Sequence, residues 1–206
     1  MTLIPDRPLS QDELERDPLA QFSAWFELAK AEGADEPHAM ALATATSDGE
    51  PSVRMVLMKD CDERGITFFT NYGSRKASEL ERNPRAALLF YWPELGRQVR
   101  IEGRVRRAER ADSVAYAHSR SRASQLSALA SPQSRPVSSR EWLEERVAAL
   151  ERDHAWAELP VSEEWGGYRL EPQTWEFWQH RPNRLHDRFR YERSAAGGWT
   201  IERLGP

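Results

Sequence analysis

The chain has 206 residues, 30% of them charged, with a formal net charge of -4 and one cysteine, Cys61. That length buries a substantial core as one compact unit, and the acidic balance argues against a general nucleic-acid binder, although Arg97 to Arg110 is locally basic. A lone cysteine excludes an intramolecular disulfide and a multi-cysteine metal site; with no signal-like apolar core near the N-terminus and no membrane-length apolar run, a cytoplasmic protein is expected.

Asp17 is placed to cap a helix starting at Pro18, where Leu19, Phe22, Trp25, Phe26 and Ala29 recur at helical spacing until Gly33. Three short segments of β character follow: Met40 to Thr46, Ser52 to Lys59 and Ile66 to Asn71, with turns at Ser47-Asp48-Gly49 and from Asp62 to Gly65. They read as an antiparallel meander. Ser74 is positioned to cap a helix from Arg75 to Arg82, ended by Asn83-Pro84. Strands are expected over Ala86 to Trp92 and Gln98 to Arg107, the second with Val99, Ile101, Gly103 and Val105 on one face.

Between Ala111 and Asp153 β-branched residues thin out and helices are expected, one of them opened by a capping box of Ser138 and Glu141. Strand character returns over Gly167 to Leu170, Thr174 to Gln179, Arg188 to Arg193 and Trp199 to Leu204, with Gly197-Gly198 turning the last hairpin. Seven or eight antiparallel strands with inserted helices imply an α+β protein on a small closed or split barrel.

Four groups carry candidate chemistry. The predicted strand Arg54-Met55-Val56-Leu57-Met58-Lys59 begins and ends with a cation, and the opposite parity of the two sends them to different partners unless a bulge intervenes. Strand-end cations reaching solvent are the plain alternative. In Asn71-Tyr72-Gly73-Ser74-Arg75-Lys76 a strand ends in a turn and a helix begins with two cations, where the dipole disfavours them unless an anion such as phosphate binds. On one helix, Tyr116, Arg120 and Ser124 form a polar ridge suited to a second phosphate, or simply an exposed face.

Trp178 to Arg188 concentrates five basic groups and an indole. If the stretch after Pro182 is extended, Arg184, His186 and Arg188 share a face opposite Leu185 and Asp187. Neighbouring charges there repel by roughly 2 to 3 kcal/mol at an effective dielectric near 20, a cost an anionic ligand removes; a solvated edge strand is the alternative. No nucleophile elbow, zinc spacing or dinucleotide loop is present.

Together with Gln133-Ser134 and Trp165-Gly166-Gly167, these motifs resemble the pyridoxamine 5′-phosphate oxidase family in the family's order, from about Asp17 to Pro206. The resemblance implies an antiparallel FMN-binding split β-barrel of Greek-key type with peripheral helices, a single domain over residues 1–206 with a helical insertion around 111–154. It implies FMN-dependent oxidation of pyridoxamine or pyridoxine 5′-phosphate to pyridoxal 5′-phosphate, hydride passing to the flavin and then to O2 as hydrogen peroxide. By position, FMN would be held by Arg54, Met55, Val56, Leu57, Met58, Lys59, Phe69, Thr70, Arg75, Lys76, Gln98, Gln133, Ser134, Trp178 and Arg188. Lys59, Tyr116, Arg120 and Ser124 would take the substrate phosphate, with Arg184, Leu185 and His186 against the ring, Arg184 and His186 in the catalytic roles.

The resemblance also implies a homodimer with FMN at the subunit interface, and neither membrane nor nucleic-acid partner. The stretch before the first helix is short for the family, with Arg7 the only cation before Arg16, which bears on closure over the substrate. The rival readings are a split-barrel oxidase acting on another ring, as in phenazine assembly, a non-catalytic FMN or pyridoxal phosphate carrier, and a nucleic-acid binder using Arg97 to Arg110.

Overall fold

The computed structural model describes residues 8–206, so Arg7 lies outside the described residues. Helix α1 (Pro18–Ala31) starts as its sequence dictates: the Asp17 carboxylate accepts from the Leu19 amide at 3.2 Å and Pro18 occupies the first turn. Its buried face, Phe22, Trp25 and Ala29, packs on a curved antiparallel sheet of nine strands among the described residues. Phe22 lies 5.0 Å from Phe90 and 5.5 Å from Trp175, and Trp25 lies 5.3 Å from Phe177.

Strands β1 (Ala39–Ala45) and β2 (Pro51–Leu57) form one hairpin, and β3 (Asp60–Asp62) and β4 (Gly65–Asn71) another. The expected meander is therefore broken, because the strand predicted to run on to Lys59 ends at Leu57. The Met58 amide still bonds to the His38 carbonyl at 2.9 Å, whereas the next amide, Lys59, bonds to Thr67 of β4 at 2.9 Å. The strand order is β2-β1-β5-β6-β7-β4-β3, with β8 and β9 continuing from β7. β2 and β3 stand at opposite ends of that order yet are joined across two residues, which span about 11 Å at most. The sheet must curl until its ends meet, which is the split barrel expected.

Inward and outward rows follow from strand parity. Across β5 (Arg85–Trp92), β6 (Arg97–Arg107), β7 (Trp165–Gln179) and β8 (Asp187–Arg193), the paired row Phe90, Val99, Phe177, Phe189 is buried under α1. The neighbouring row Tyr91, Gln98, Trp178, Arg188 projects from the opposite face. The two strands expected over Gly167 to Leu170 and Thr174 to Gln179 are one, since a register shift at Glu102/Gly103 absorbs the irregularity beside Pro172. Strand β9 (Trp199–Arg203) closes the last hairpin, with Gly197 and Gly198 at φ 87° and 80°.

Helix α2 (Arg75–Arg82) has the predicted bounds, but the Ser74 hydroxyl caps no amide and instead accepts from Lys76 Nζ at 3.3 Å. The Tyr116–Arg120–Ser124 ridge is not one helix. α3 (Arg110–Ser119) ends at Arg120, which is extended at ψ 155°, and Ser121 then caps α4 (Arg122–Ala130) by accepting from the Ser124 amide. α5 (Arg140–Asp153) is capped by Ser139, whose Oγ accepts from the Trp142 amide at 3.2 Å, one residue later than the expected Ser138. The adjacent serines offer two frames, and only the later one meets the free amide of a helix starting at Arg140. After Pro182 the chain is not extended either: a 3-10 turn spans Pro182–Arg184, Asn183 and Arg184 have φ 57° and 63°, and strand β8 begins only at Asp187. No described helix is long and apolar enough to cross a membrane.

Candidate functional site

A cleft of about 960 Å³ opens between β2, the end of β4, the start of α2, and the α3–α4 region with the loop through residue 134. Of the residues assigned to FMN, it is lined by Arg54, Met55, Val56, Leu57, Lys59, Phe69, Thr70, Arg75, Lys76, Gln133 and Ser134; the whole substrate-phosphate set, Lys59, Tyr116, Arg120 and Ser124, lines it as well. Met58 does not: it is buried in the core, its amide tied back to the His38 carbonyl just before β1. Among the described residues the wall carries five cationic side chains, Arg54, Lys59, Arg75, Lys76 and Arg120, and no carboxylate. Such a donor set fits an anionic ligand.

The cations fall into two groups. Arg54 donates through Nη1 to the Leu42 carbonyl at 3.0 Å and Thr44 Oγ1 at 2.6 Å, and through Nη2 to Ser52 Oγ and, at 3.4 Å, Glu79. Burial lowers its pKa, and Glu79 partly opposes that. Arg75 donates from Nε to Glu79 Oε1 at 2.8 Å. Lys76 is the most buried of the three: its ammonium donates to Thr70 Oγ1 at 2.9 Å and Gln133 Oε1 at 2.8 Å, neutral acceptors both. Desolvation, then the nearby Arg54 charge, pull its pKa down to about 8. A phosphate would relieve that cost, and Lys76 stands in the first turn of α2, where the helix dipole favours an anion.

Lys59 and Arg120 belong to an aromatic wall. Phe69 stacks on Tyr116 at 4.2 Å and on Trp165 at 5.5 Å, the Lys59 ammonium lies 5.8 Å from the Tyr116 ring, and the Arg120 guanidinium 5.3 Å from Trp165. A Cβ on Gly167 would come within 2.9 Å of both Phe69 and Ala108, so only glycine lets β7 pass this close behind the wall. Although the predicted ridge is broken between α3 and α4, the break itself turns Arg120 and Ser124 toward the same cleft as Tyr116.

The remaining predicted residues form a second cluster on the outward face of the sheet. Gln98, Trp178 and Arg188 line a separate cavity of about 300 Å³ together with Arg100 and Glu176. Glu176, buried, receives Arg188 Nε at 2.9 Å and Arg100 Nη2 at 2.6 Å. Beside them His186 lies 4.6 Å from the Trp178 ring and 5.2 Å from His180. Its Nδ1 accepts from the Arg181 amide at 3.1 Å, which places the proton of the neutral ring on Nε2. Burial, then the charges of His180 and Arg184, hold its pKa below the usual value. Arg184 and Leu185 are exposed. The structure thus brings Arg54, Arg75 and Lys76 together with Lys59, Tyr116, Arg120 and Ser124, but places Trp178, Arg184, His186 and Arg188 elsewhere on the protomer.

Residues 11–152 match the family model described as pyridoxamine 5′-phosphate oxidase, and residues 165–206 match a model described as the C-terminal dimerisation region of pyridoxine 5′-phosphate oxidase. The chain belongs to the pyridoxamine 5′-phosphate oxidase family. As a member of that family it is an oxidoreductase. A pyridoxine/pyridoxamine 5′-phosphate oxidase of Rubrobacter xylanophilus is 54% identical over 198 residues, covering 96% of this chain and 91% of the relative. One from Deinococcus deserti is 54% identical over 200 residues, covering 96% and 93%. Among solved structures, PhzG from Burkholderia lata in complex with tetrahydrophenazine-1-carboxylic acid superposes with a TM-score of 0.91 at 36% identity, covering 98% of both chains. A pyridoxamine 5′-phosphate oxidase-related, FMN binding protein of Nostoc punctiforme, at 18% identity and a TM-score of 0.73 over 92% of this chain and 98% of that one, shares the fold.

Two residues that contact the arginines of the cleft, Glu79 and Ser52, are not singled out by the sequence. Glu79 carried a visible signal, its spacing of four from Arg75 on a helix. Trp165 stood in a recognised motif, but its place in the aromatic wall depends on the register that sets Asn71 opposite it.

Proposed function

We propose that this protein oxidises pyridoxamine 5′-phosphate and pyridoxine 5′-phosphate to pyridoxal 5′-phosphate in vitamin B6 salvage, using FMN and passing the electrons to O2. Peroxide is the co-product, with ammonia released from the amine substrate. The observation that carries this reading is the carboxylate-free cleft with two separate cation groups, which suits one ligand phosphate at Arg54, Arg75 and Lys76 and another at Lys59 and Arg120. Bound FMN would supply the hydride acceptor. The chain's own residues position: Thr70, Gln133 and Lys76 hold the cofactor end, while Tyr116, Arg120 and Ser124 fix the substrate phosphate.

The rest of the assignment requires a homodimer, for which the matched dimerisation-region model speaks. The outward sheet face exposes Val53, Met55, Leu57 and Tyr91, an apolar set that a second copy would cover, and Gln98, Trp178 and Arg188 stand on the same face. Across a two-fold axis, that cluster with Arg184 and His186 would complete the partner's cleft. There Arg184 would orient the substrate carbon and His186 assist it. PhzG motivates a second reading, a different ring substrate; the Lys59, Tyr116, Arg120 and Ser124 set favours a phosphorylated one.

The test is direct. The purified protein should show a flavin visible spectrum and, given pyridoxine 5′-phosphate in air, should yield aldehyde and peroxide in equal amounts. A flavin spectrum without turnover would favour the carrier or the alternative ring, and a colourless protein with no affinity for flavin would overturn the reading.

A further inference from the structure

Glu79 touches three residues of the cleft wall, Ser52, Arg54 and Arg75, while being itself buried and outside that wall. Its Oε2 receives Thr44 Oγ1, Ser52 Oγ at 2.6 Å and Arg54 Nη2 at 3.4 Å, and its Oε1 receives Arg75 Nε at 2.8 Å. These donors outweigh the burial that would raise its pKa and bring it down to about 2, so it is ionised throughout the working range. An anion placed directly under an anion-binding wall opposes the ligand by charge alone. Its value must lie in what it does to the arginines.

We propose that Glu79 is a positioning residue for the phosphate-bearing end of the cofactor, fixing the guanidinium planes of Arg54 and Arg75 before the ligand arrives. This rests on the reading that FMN occupies the cleft. The contacts divide the two arginines into different tasks. Both terminal nitrogens of Arg54 are committed to Leu42, Thr44, Ser52 and Glu79, so it is locked as a fixed charge in the wall. Arg75 commits only Nε; among the described residues Nη1 and Nη2 make no hydrogen bond, the Glu50 carboxylate lying 3.8 Å from Nη2. Pinning Nε orients this fork, the geometry that a phosphate accepts in bidentate fashion. The Arg75 side chain is 55% exposed, so without its tether it would sample many rotamers. Ordering a long, free side chain only on binding weakens affinity by about tenfold. The carboxylate's own field at the ligand is small by comparison, because the two guanidiniums already compensate its charge.

Two ligands separate this role from others, since riboflavin is FMN without the phosphate. The full-length chain freed of flavin is titrated with each and the quenching of flavin fluorescence recorded. Glu79→Ala should weaken FMN binding about tenfold or more and change riboflavin binding less than about twofold. Glu79→Gln keeps an oxygen for Arg75 Nε and should recover part of the loss; it also serves if the alanine variant does not fold. FMN binding tighter in either variant would mean the carboxylate acts only as an opposing charge, and equal losses for both flavins would mean a merely structural role; each overturns the proposal. Wild-type protein that binds FMN no more tightly than riboflavin would instead overturn the placement of the cofactor phosphate itself.

Discussion

Lys76 carries a cost that the flavin-free protein cannot escape, and its size follows from its surroundings. The ammonium is buried against neutral oxygens with Arg54 nearby, and its pKa falls from 10.5 to about 8. Between those values the unfolded chain binds more protons than the folded one, so stability rises with pH. The penalty is fully present below about pH 8 and is gone above 10.5; in total it is about 3 kcal/mol, and about 2 kcal/mol of it is recovered between pH 8 and 10. Lys76→Met removes the titrating group. Its lost hydrogen bonds to Thr70, Ser74 and Gln133 alter the variant's stability by an amount that does not depend on pH. The measurement is denaturant unfolding of flavin-free wild type and variant at pH 7, 8, 9 and 10, taken as a difference so that tyrosines and other shared groups cancel. The wild type should gain about 2 kcal/mol on the variant between pH 8 and 10, or about 4 to 8 °C in Tm. Saturating FMN should flatten the wild-type slope, because a phosphate beside the ammonium restores its charge. A difference that stays flat in flavin-free protein, or that falls with pH, refutes the picture of an uncompensated buried cation.

Three further outcomes are expected. Gly167→Ala places a Cβ 2.9 Å from Phe69 and Ala108, and should cost about 1–3 kcal/mol in chemical denaturation while weakening flavin binding through the displaced aromatic wall. Met55→Asp introduces a charge on the exposed apolar face of β2, where Met55 is 63% exposed in the protomer; light scattering should show a dimer weakened by about 3–5 kcal/mol, and an unchanged dimer would place the interface elsewhere. Arg184→Ala should lower kcat on the order of a hundredfold while the protein stays yellow, and unchanged turnover would remove Arg184 from the reaction.

Local signals carried far in this chain where punctuation residues are strong. α2 stops where expected because Asn83-Pro84 ends it, although the expected Ser74 side-chain cap is not made, and α1 runs as expected because Asp17, Pro18 and Gly33 bracket it. They failed where no breaker marks a change of state. Arg120 and Ser121 separate two helices without a glycine or proline, and the turn that puts Arg184 at φ 63° follows a proline that could equally precede a strand. The roles of Glu79 and Trp165 were hidden for a different reason. Ser52 and Thr44 lie 27 and 35 residues from Glu79 in sequence, and only closure of the sheet makes them its donors.

That closure also answers the puzzle of the two cations at the ends of one apolar segment. Arg54 belongs to β2, paired with Leu42 of β1, and directs its guanidinium to the hydroxyls and carboxylate gathered there. Lys59 lies past the crossing, hydrogen-bonded through its amide to β4, and so joins the aromatic wall that Phe69 contributes from that strand. Six residues therefore carry the chain from one group of cations to the other, and neither parity nor a bulge within a single strand is responsible. A cleft with two cationic ends is what a split sheet makes at its seam when the segment that crosses the seam begins and ends with a cation.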